Sequence, residues 1–303
     1  MRLKLIVPTI AAVSFLNLPA FAQQLSGTLQ KIKDAGAITL GHRESSVPFS
    51  YYDDNQQVIG YAMDLCYKIV DAVKSELKLD RLDVKLNPVT SATRIPLIAN
   101  GTVDLECGST TNNLDREKQV SFTITHFVTA NRFVSKKSAN IKTVDDLKGM
   151  TIVSTSGTTN IKQITEIGAR KNLDLNIIAA KDHAEAFLTV ETDRAAAFVM
   201  DDILLYSLVA ASKSPGDYVI SADALSVEPY GIMLRRDDPE FKKVVDAAMT
   251  ATYKSGMINA IYEKWFLKPI APKGINLNVP MSAAFKKVIA NPTDSGDPAV
   301  YAQ

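Results

Sequence analysis

The run Val103-Asp104-Leu105-Glu106-Cys107-Gly108-Ser109-Thr110-Thr111 reads as a short strand ending in a loop of glycine and hydroxyl residues. A later run, Thr151-Ile152-Val153-Ser154-Thr155-Ser156-Gly157-Thr158-Thr159, repeats that grammar and continues into a helix from Asn160 to about Lys171. Strands and helices alternate around both. Upstream of the first come a helix over Leu25 to Ala35 closed near Gly36, and a strand Ala37 to His42. A helix with apolar residues at helical spacing (Met63, Leu65, Ile69, Val70, Val73, Leu77) follows, then a strand Leu82 to Val89 and a helix Thr93 to Asn100 closed by Gly101. Around the second run lie a short helix from Val144, a strand Asn176 to Ala180, a helix Ala184 to Thr192 and a buried strand Ala195 to Met200. Parallel strands need crossover connections and helices supply them, so the expected class is α/β, in two successive units.

The last third differs. A short strand Ile232-Met233-Leu234 follows Glu228-Pro229-Tyr230-Gly231, and two amphipathic helices are expected, Phe241 to Tyr253 and Ile258 to Trp265. The tail from Ile270, rich in Pro, Asn and Ser, is expected to wrap the surface and lose order near its end.

The chain has 303 residues, 46% hydrophobic and 22% charged, with a net charge of +1. That length suits about two domains of roughly 150 residues each, and the composition excludes a disordered chain. A near-zero charge gives no basis for nucleic-acid binding. Three histidines and two cysteines leave little for a zinc or cluster site. At the N-terminus, Arg2 and Lys4 precede an apolar run from Leu5 to Leu18, and Ala20-Phe21-Ala22 makes a small-x-small cleavage site. Residues 1–22 are therefore expected to be a signal peptide, with an exported, soluble mature chain starting at Gln23. In an oxidising compartment Cys66 and Cys107 could pair, with two buried free thiols as the alternative.

Ligands of open α/β sheets bind outside the carboxyl ends of the strands. The loops there deliver Arg43, then Ser91 and Arg94, then Ser109 and Thr111 with Arg116 downstream. In the second unit they deliver Ser156 to Thr159, His183 and Asp201. Each has a plainer explanation: a loop arginine is commonly solvated, serines and Asp201 can cap helices, and Asp202 would be an ordinary solvent-facing neighbour. His42, His126 and a solitary His183 would be structural. No G-x-x-x-x-G-K-[ST] or G-x-G-x-x-G run supports a nucleotide cofactor, and no G-x-S-x-G or H-E-x-x-H run supports hydrolysis. Several arginines facing one space fit anion binding better than nucleophilic attack.

The run Gly41-His42-Arg43-Glu44-Ser45-Ser46-Val47-Pro48-Phe49-Ser50-Tyr51 resembles the first ligand loop of periplasmic glutamate/aspartate-binding proteins, the polar amino-acid type of solute-binding protein family 3 of ABC importers. Gly60 to Leu65, Cys107 to Asn113, Thr155 to Thr159, Ala180 to His183, Met200 to Asp202, Tyr230 to Arg235 and Tyr262 to Phe266 continue the likeness in order. It departs at Ile232, where some relatives carry a second cysteine, a role Cys66 would take here.

The resemblance implies a two-lobed periplasmic binding protein fold of type II, two α/β domains joined by two hinge strands. Lobe 1 would comprise residues 23–127 and 231–303, and lobe 2 residues 128–230. Arg116, Thr111 and the Ser156 to Thr159 amides, Thr159 included, would hold an α-carboxylate. Asp201 and Ser109 would take the α-ammonium, and Arg43, Ser91, Arg94 and His183 would surround a side-chain carboxylate. On this count one arginine and one aspartate balance the zwitterion and two arginines are left over. The implied partners are L-glutamate or L-aspartate and the membrane permease of an ABC importer, with no cofactor and a monomeric chain. The rival is an exported enzyme on the same fold, resembling cyclohexadienyl or arogenate dehydratases and acting on a small carboxylic acid.

Overall fold

The computed structural model describes residues 25–302; the expected signal peptide lies outside them. One sheet has five strands in the order Asp83–Pro88, Ala37–His42, Leu105–Cys107, Met233–Arg235, Val120–Phe122. The first three are parallel, and Met233–Arg235 runs antiparallel to both its neighbours. A second sheet carries Asn176–Ala180, Thr151–Thr155 and Ala197–Asp201 in parallel, with Phe127–Lys136 antiparallel beside the last, and a small third sheet pairs Ser45–Ser46, Ser50–Tyr52 and Val58–Ile59. Tyr218–Ile220 and Ser226–Tyr230 pair with successive stretches of that long strand.

The chain therefore passes between the sheets twice, along Phe127–Lys136 and back along Ser226–Tyr230, with Tyr230 opposite Phe127. The return explains why the final third makes no third domain: Met233–Arg235 re-enters the first sheet, and helix Pro239–Lys254 packs on helix Tyr61–Glu76. An aromatic cluster sits where the two passes meet. Phe127 lies 5.1 Å from Phe49 and 5.0 Å from Phe266, and Phe49 lies 5.2 Å from Tyr230, ring centre to ring centre. Edge-on and stacked contacts of this kind resist sliding. The first-lobe ends of the two crossing strands are thus packed together.

Most expected elements are present within a residue or two. The exceptions are informative. The tail does not lose order: Ala283–Ala290 is a helix capped by Ser282, which accepts from the Phe285 amide at 3.1 Å. Phe285, Val288 and Tyr301 are buried, and the Tyr301 hydroxyl lies 2.8 Å from that of Thr125. Three apolar side chains spaced along a polar segment suffice to pin it. Helix Asp202–Ala211 follows directly from its strand, with Asp201 at its N-cap position but making no side-chain capping bond.

Cys66 and Cys107 form a disulfide with Cα atoms 6.2 Å apart, tying helix Tyr61–Glu76 to the end of strand Leu105–Cys107. It closes a 41-residue separation. On loop entropy, replacing both residues (Cys66→Ser with Cys107→Ser) is expected to remove about 2–4 kcal/mol of stability, read as a lower urea midpoint at unchanged slope.

Candidate functional site

The first lobe brings three arginines together. Arg43 follows strand Ala37–His42, its amide donating to Ser50 Oγ at 2.8 Å and its Nη2 to Ser91 Oγ at 2.9 Å. Arg94 opens helix Arg94–Ala99; its Nη1 donates to Thr110 Oγ1 and to the Ser109 carbonyl at 3.2 Å. Arg116, on the turn Arg116–Lys118, donates from Nη1 to the Thr111 carbonyl at 2.7 Å. All three are nearly inaccessible to water.

The second lobe faces them. Loop Ser156 to Thr158 leads into helix Thr159–Lys171, whose cap Thr158 accepts from the Ile161 amide. The half-buried Thr159 donates its hydroxyl to Glu228 Oε2 at 3.0 Å. His183 begins helix His183–Glu191, with Nδ1 2.8 Å from Thr155 Oγ1. Asp201, at the end of strand Ala197–Asp201, accepts from Asn160 Nδ2 at 2.7 Å and from the Tyr230 hydroxyl. Its neighbour Asp202 is not a plain solvent-facing residue: it accepts from Thr129 at 2.5 Å and pairs with Arg132 at 3.2 Å.

The lobes touch. Arg116 Nη2 donates across the gap to the Gly157 carbonyl at 3.2 Å, and Lys162 pairs with Asp115 at 3.0 Å. A Cβ on Gly157 (φ +77°) would fall 2.6 Å from Ala92 Cα, so only glycine permits this approach. These contacts bring the elements that carry the nine expected residues to the interlobe gap; Thr111 is recorded there through its carbonyl, and the Thr159 hydroxyl is turned to Glu228.

Burial is the main source of every pKa change here. It pushes the guanidinium of Arg43 down to about 10 and that of Arg116 down to about 9, with Arg94 adding repulsion to both. Arg94 is also lowered, by burial, against the pull of Glu106. Burial first, then Arg43 and Arg94, hold His183 well below its ordinary value, so its imidazole is neutral. Burial and then Glu228 push Asp201 up to about 7. Arg43 Nη1, Arg94 Nε, Ser109 Oγ and His183 Nε2 are buried with no hydrogen-bond partner among the described residues. Buried polar atoms are nearly always satisfied, so these four, all on residues at the interlobe surface, leave hydrogen-bonding capacity there for a polar partner.

Two acids were missed by sequence reading. Glu106 is fully buried, accepts from Thr110 Oγ1 at 2.5 Å and lies 3.9 Å from Arg94 Nη1. Glu228, also buried, accepts from Thr159, from Gln163 at 2.7 Å and from Ser226. The expected surplus of two arginines after balancing one against Asp201 is therefore corrected. Arg94 has its own acid, while Arg43 and Arg116 make no ion pair among the described residues. Alternation in Val103 to Cys107, acidic at 104 and 106 on a strand otherwise apolar, was the available signal for Glu106.

Residues 38–268 match the model of bacterial extracellular solute-binding proteins, family 3. The chain belongs to this family. It is 53% identical over 290 residues to the L-glutamate/L-aspartate-binding protein of Pseudomonas aeruginosa, covering 95% of this chain and 96% of that one. It is 46% identical over 273 residues to the glutamate/aspartate import solute-binding protein of Escherichia coli, covering 90% of each. Among solved structures, a mutant of ArgBP from T. maritima superposes with a TM-score of 0.70 at 26% identity, covering 79% of this chain and 99% of that one. An ancestral amino acid-binding protein, a precursor of cyclohexadienyl dehydratase, gives 0.65 at 28% identity, with the same two coverages.

His126 lies in the hinge cluster, and burial drives its pKa down to about 3. It stays neutral in the folded chain while the unfolded chain takes up a proton below about 6.5. Stability from this group is thus fully present above that value and is lost as pH falls, by at most about 1.4 kcal/mol per pH unit. Asp201, raised, contributes the opposite slope below about 7. A His126→Phe variant isolates the first: its urea midpoint is expected to fall less than the parent's between pH 6.5 and 4.

Proposed function

We propose that the cleft holds an acidic amino acid through three subsites. Arg116, Thr111 and the Ser156 to Thr159 amides take the α-carboxylate, aided by the partial positive charge at the start of the helix. Asp201 and Ser109 take the α-ammonium, with Asn160 and Tyr230 fixing the Asp201 carboxylate. Arg43, Ser91, Arg94 and His183 Nε2 take the side-chain carboxylate. One observation carries this reading. Two buried guanidiniums, Arg43 and Arg116, lack an ion pair among the described residues, and a dicarboxylic amino acid supplies two carboxylates. The planar fork of guanidinium suits carboxylate in a way ammonium does not.

The protein binds L-glutamate or L-aspartate and delivers it to the membrane permease of an ABC importer, acting outside the cytoplasmic membrane as a solute-binding protein and not as an enzyme. Relatives named for glutamate and aspartate at 46% and 53% identity support this over the dehydratase-like alternative. The ancestral precursor's likeness concerns the fold, which does not fix activity. Lobes spanning 23–127 with 231–303, and 128–230, pivot on the two crossing strands. The guest favours closure because it contacts both lobes, and a ligand shifts an equilibrium only by its differential affinity.

Three outcomes test this. In calorimetry on the folded variant, Arg94→Ala is expected to weaken glutamate on the order of 10–100-fold, with some loss of melting temperature because Glu106 loses its ion pair; unaltered affinity removes Arg94 from the site. Gly157→Ala is expected to weaken glutamate and aspartate alike, because the added methyl meets the Ala92 backbone as the lobes close. Asp201 must be ionised to hold an ammonium, so affinity should fall as pH drops below about 7, by up to about tenfold per unit. An affinity flat between pH 7 and 5 would argue against that role.

A further inference from the structure

Glu106 takes no direct part in the three subsites, yet it is a fully buried carboxylate beside Arg94. It occupies the middle of strand Leu105–Cys107, opposite Gly41 and Met233 in the two flanking strands. Leu105 and Cys107 pack into the core, and Cys107 is held by the disulfide. The side chain is oriented by a directional relay. Arg94 Nη1 donates to Thr110 Oγ1, and a hydroxyl that accepts from a guanidinium has its one proton free to donate onward, here to Glu106 Oε2 at 2.5 Å. Oε1 has no hydrogen-bond partner among the described residues and lies 3.9 Å from Arg94 Nη1. Space for this arrangement comes from Gly108: a Cβ there would lie 2.4 Å from Glu106 Oε1 and 2.9 Å from Arg43 Cγ. Any other residue at 108 would push apart the acid and the first arginine.

We infer that Glu106 is a specificity-determining residue, whose carboxylate cancels one of the two guanidinium charges at the side-chain subsite and so sets that subsite to accept a single negative charge. Arg43 and Arg94 together present two positive charges there, and neutral His183 adds none. Glu106 brings the local sum to one. A carboxylate side chain matches it, an amide leaves one charge unmatched, and a phosphate or phosphonate side chain exceeds it. In a water-poor cleft such mismatches cost far more than in solvent. The inference rests on the proposed placement of the ligand side chain beside Arg43 and Arg94.

Calorimetry with L-glutamate, L-glutamine and O-phospho-L-serine tests it. The parent protein is expected to prefer glutamate over both others. In Glu106→Gln the glutamate-to-glutamine affinity ratio is expected to rise on the order of tenfold. Phosphoserine should gain on glutamate, while Glu106→Asp restores the parent's ratios. A merely structural role would weaken all three ligands together, so unchanged ratios in a folded Glu106→Gln protein overturn the inference. If that variant does not fold, Arg94→Gln is compared with Arg94→Gln/Glu106→Gln, which keeps the net charge of the parent. The double variant should show the higher glutamate-to-glutamine ratio, and equal ratios overturn the inference. A parent protein that fails to bind glutamate would instead defeat the functional reading on which this rests.

Discussion

Three guanidinium groups taken out of water between two lobes constrain the rest of this molecule. A buried charge without a partner is strongly unfavourable, and a chain tolerates it only where the partner arrives from elsewhere or the gap can open to solvent. Both conditions are met by a cleft whose walls belong to different sheets. Arg43 and Arg94 stand on one side, His183 and Asp201 on the other, and Arg116 reaches across to Gly157. Lysines would be poorer occupants, because an ammonium sheds its proton more readily on burial and cannot present a planar pair of donors.

Such a cleft needs walls that stay rigid while the gap changes. Among the described residues two strands cross between the two large sheets, and the aromatic cluster of Phe49, Phe127, Tyr230 and Phe266 packs around their first-lobe ends. The disulfide secures Cys107, two positions before Ser109, so the loop bearing the site's hydroxyls starts from a braced strand. The tail adds a third restraint. Asn112 donates to the Asp294 carbonyl at 2.7 Å, linking the segment between Thr111 and Arg116 to a region beyond the family match, which ends at residue 268. These restraints all lie within the first lobe and brace the loops that carry Arg43, Ser109 and Arg116.

Much of this was legible in the sequence, for a physical reason: strand ends in parallel sheets point their loops to one side, so polar residues there converge whatever the lobes do. Arg43, Arg94, Ser109, His183 and Asp201 could be gathered by that rule. Glu106 and Glu228 could not, because each sits within a strand, where side-chain direction depends on the partner surface and not on a loop. Asn160 and Tyr230 escaped for a related reason, since their role is to hold Asp201 and is visible only once helix, strand and hinge are docked. The tail was misjudged because its composition is that of a loop, whereas Phe285, Val288 and Tyr301 find tertiary partners that composition does not encode.

The missed acids change how the charge in the cleft is understood. Arg43, Arg94 and Arg116 are matched in number by Glu106, Asp201 and Glu228, all buried, so the formal sum is zero. Yet among these described residues Arg94 and Glu106 alone approach as an ion pair, at 3.9 Å. Glu228 is held by Thr159, Gln163 and Ser226, Asp201 by Asn160 and Tyr230, and Glu106 by Thr110, neutral donors in every case. Neutral donors stabilise a carboxylate without cancelling its field. What remains is an ordered alternation of charge, with positive ends at Arg43 and Arg116 and a negative centre at Asp201. An amino acid carrying an ammonium between two carboxylates has the complementary pattern, so it is where the charge lies across the cleft, and not the overall sum, that separates such a guest from a neutral one.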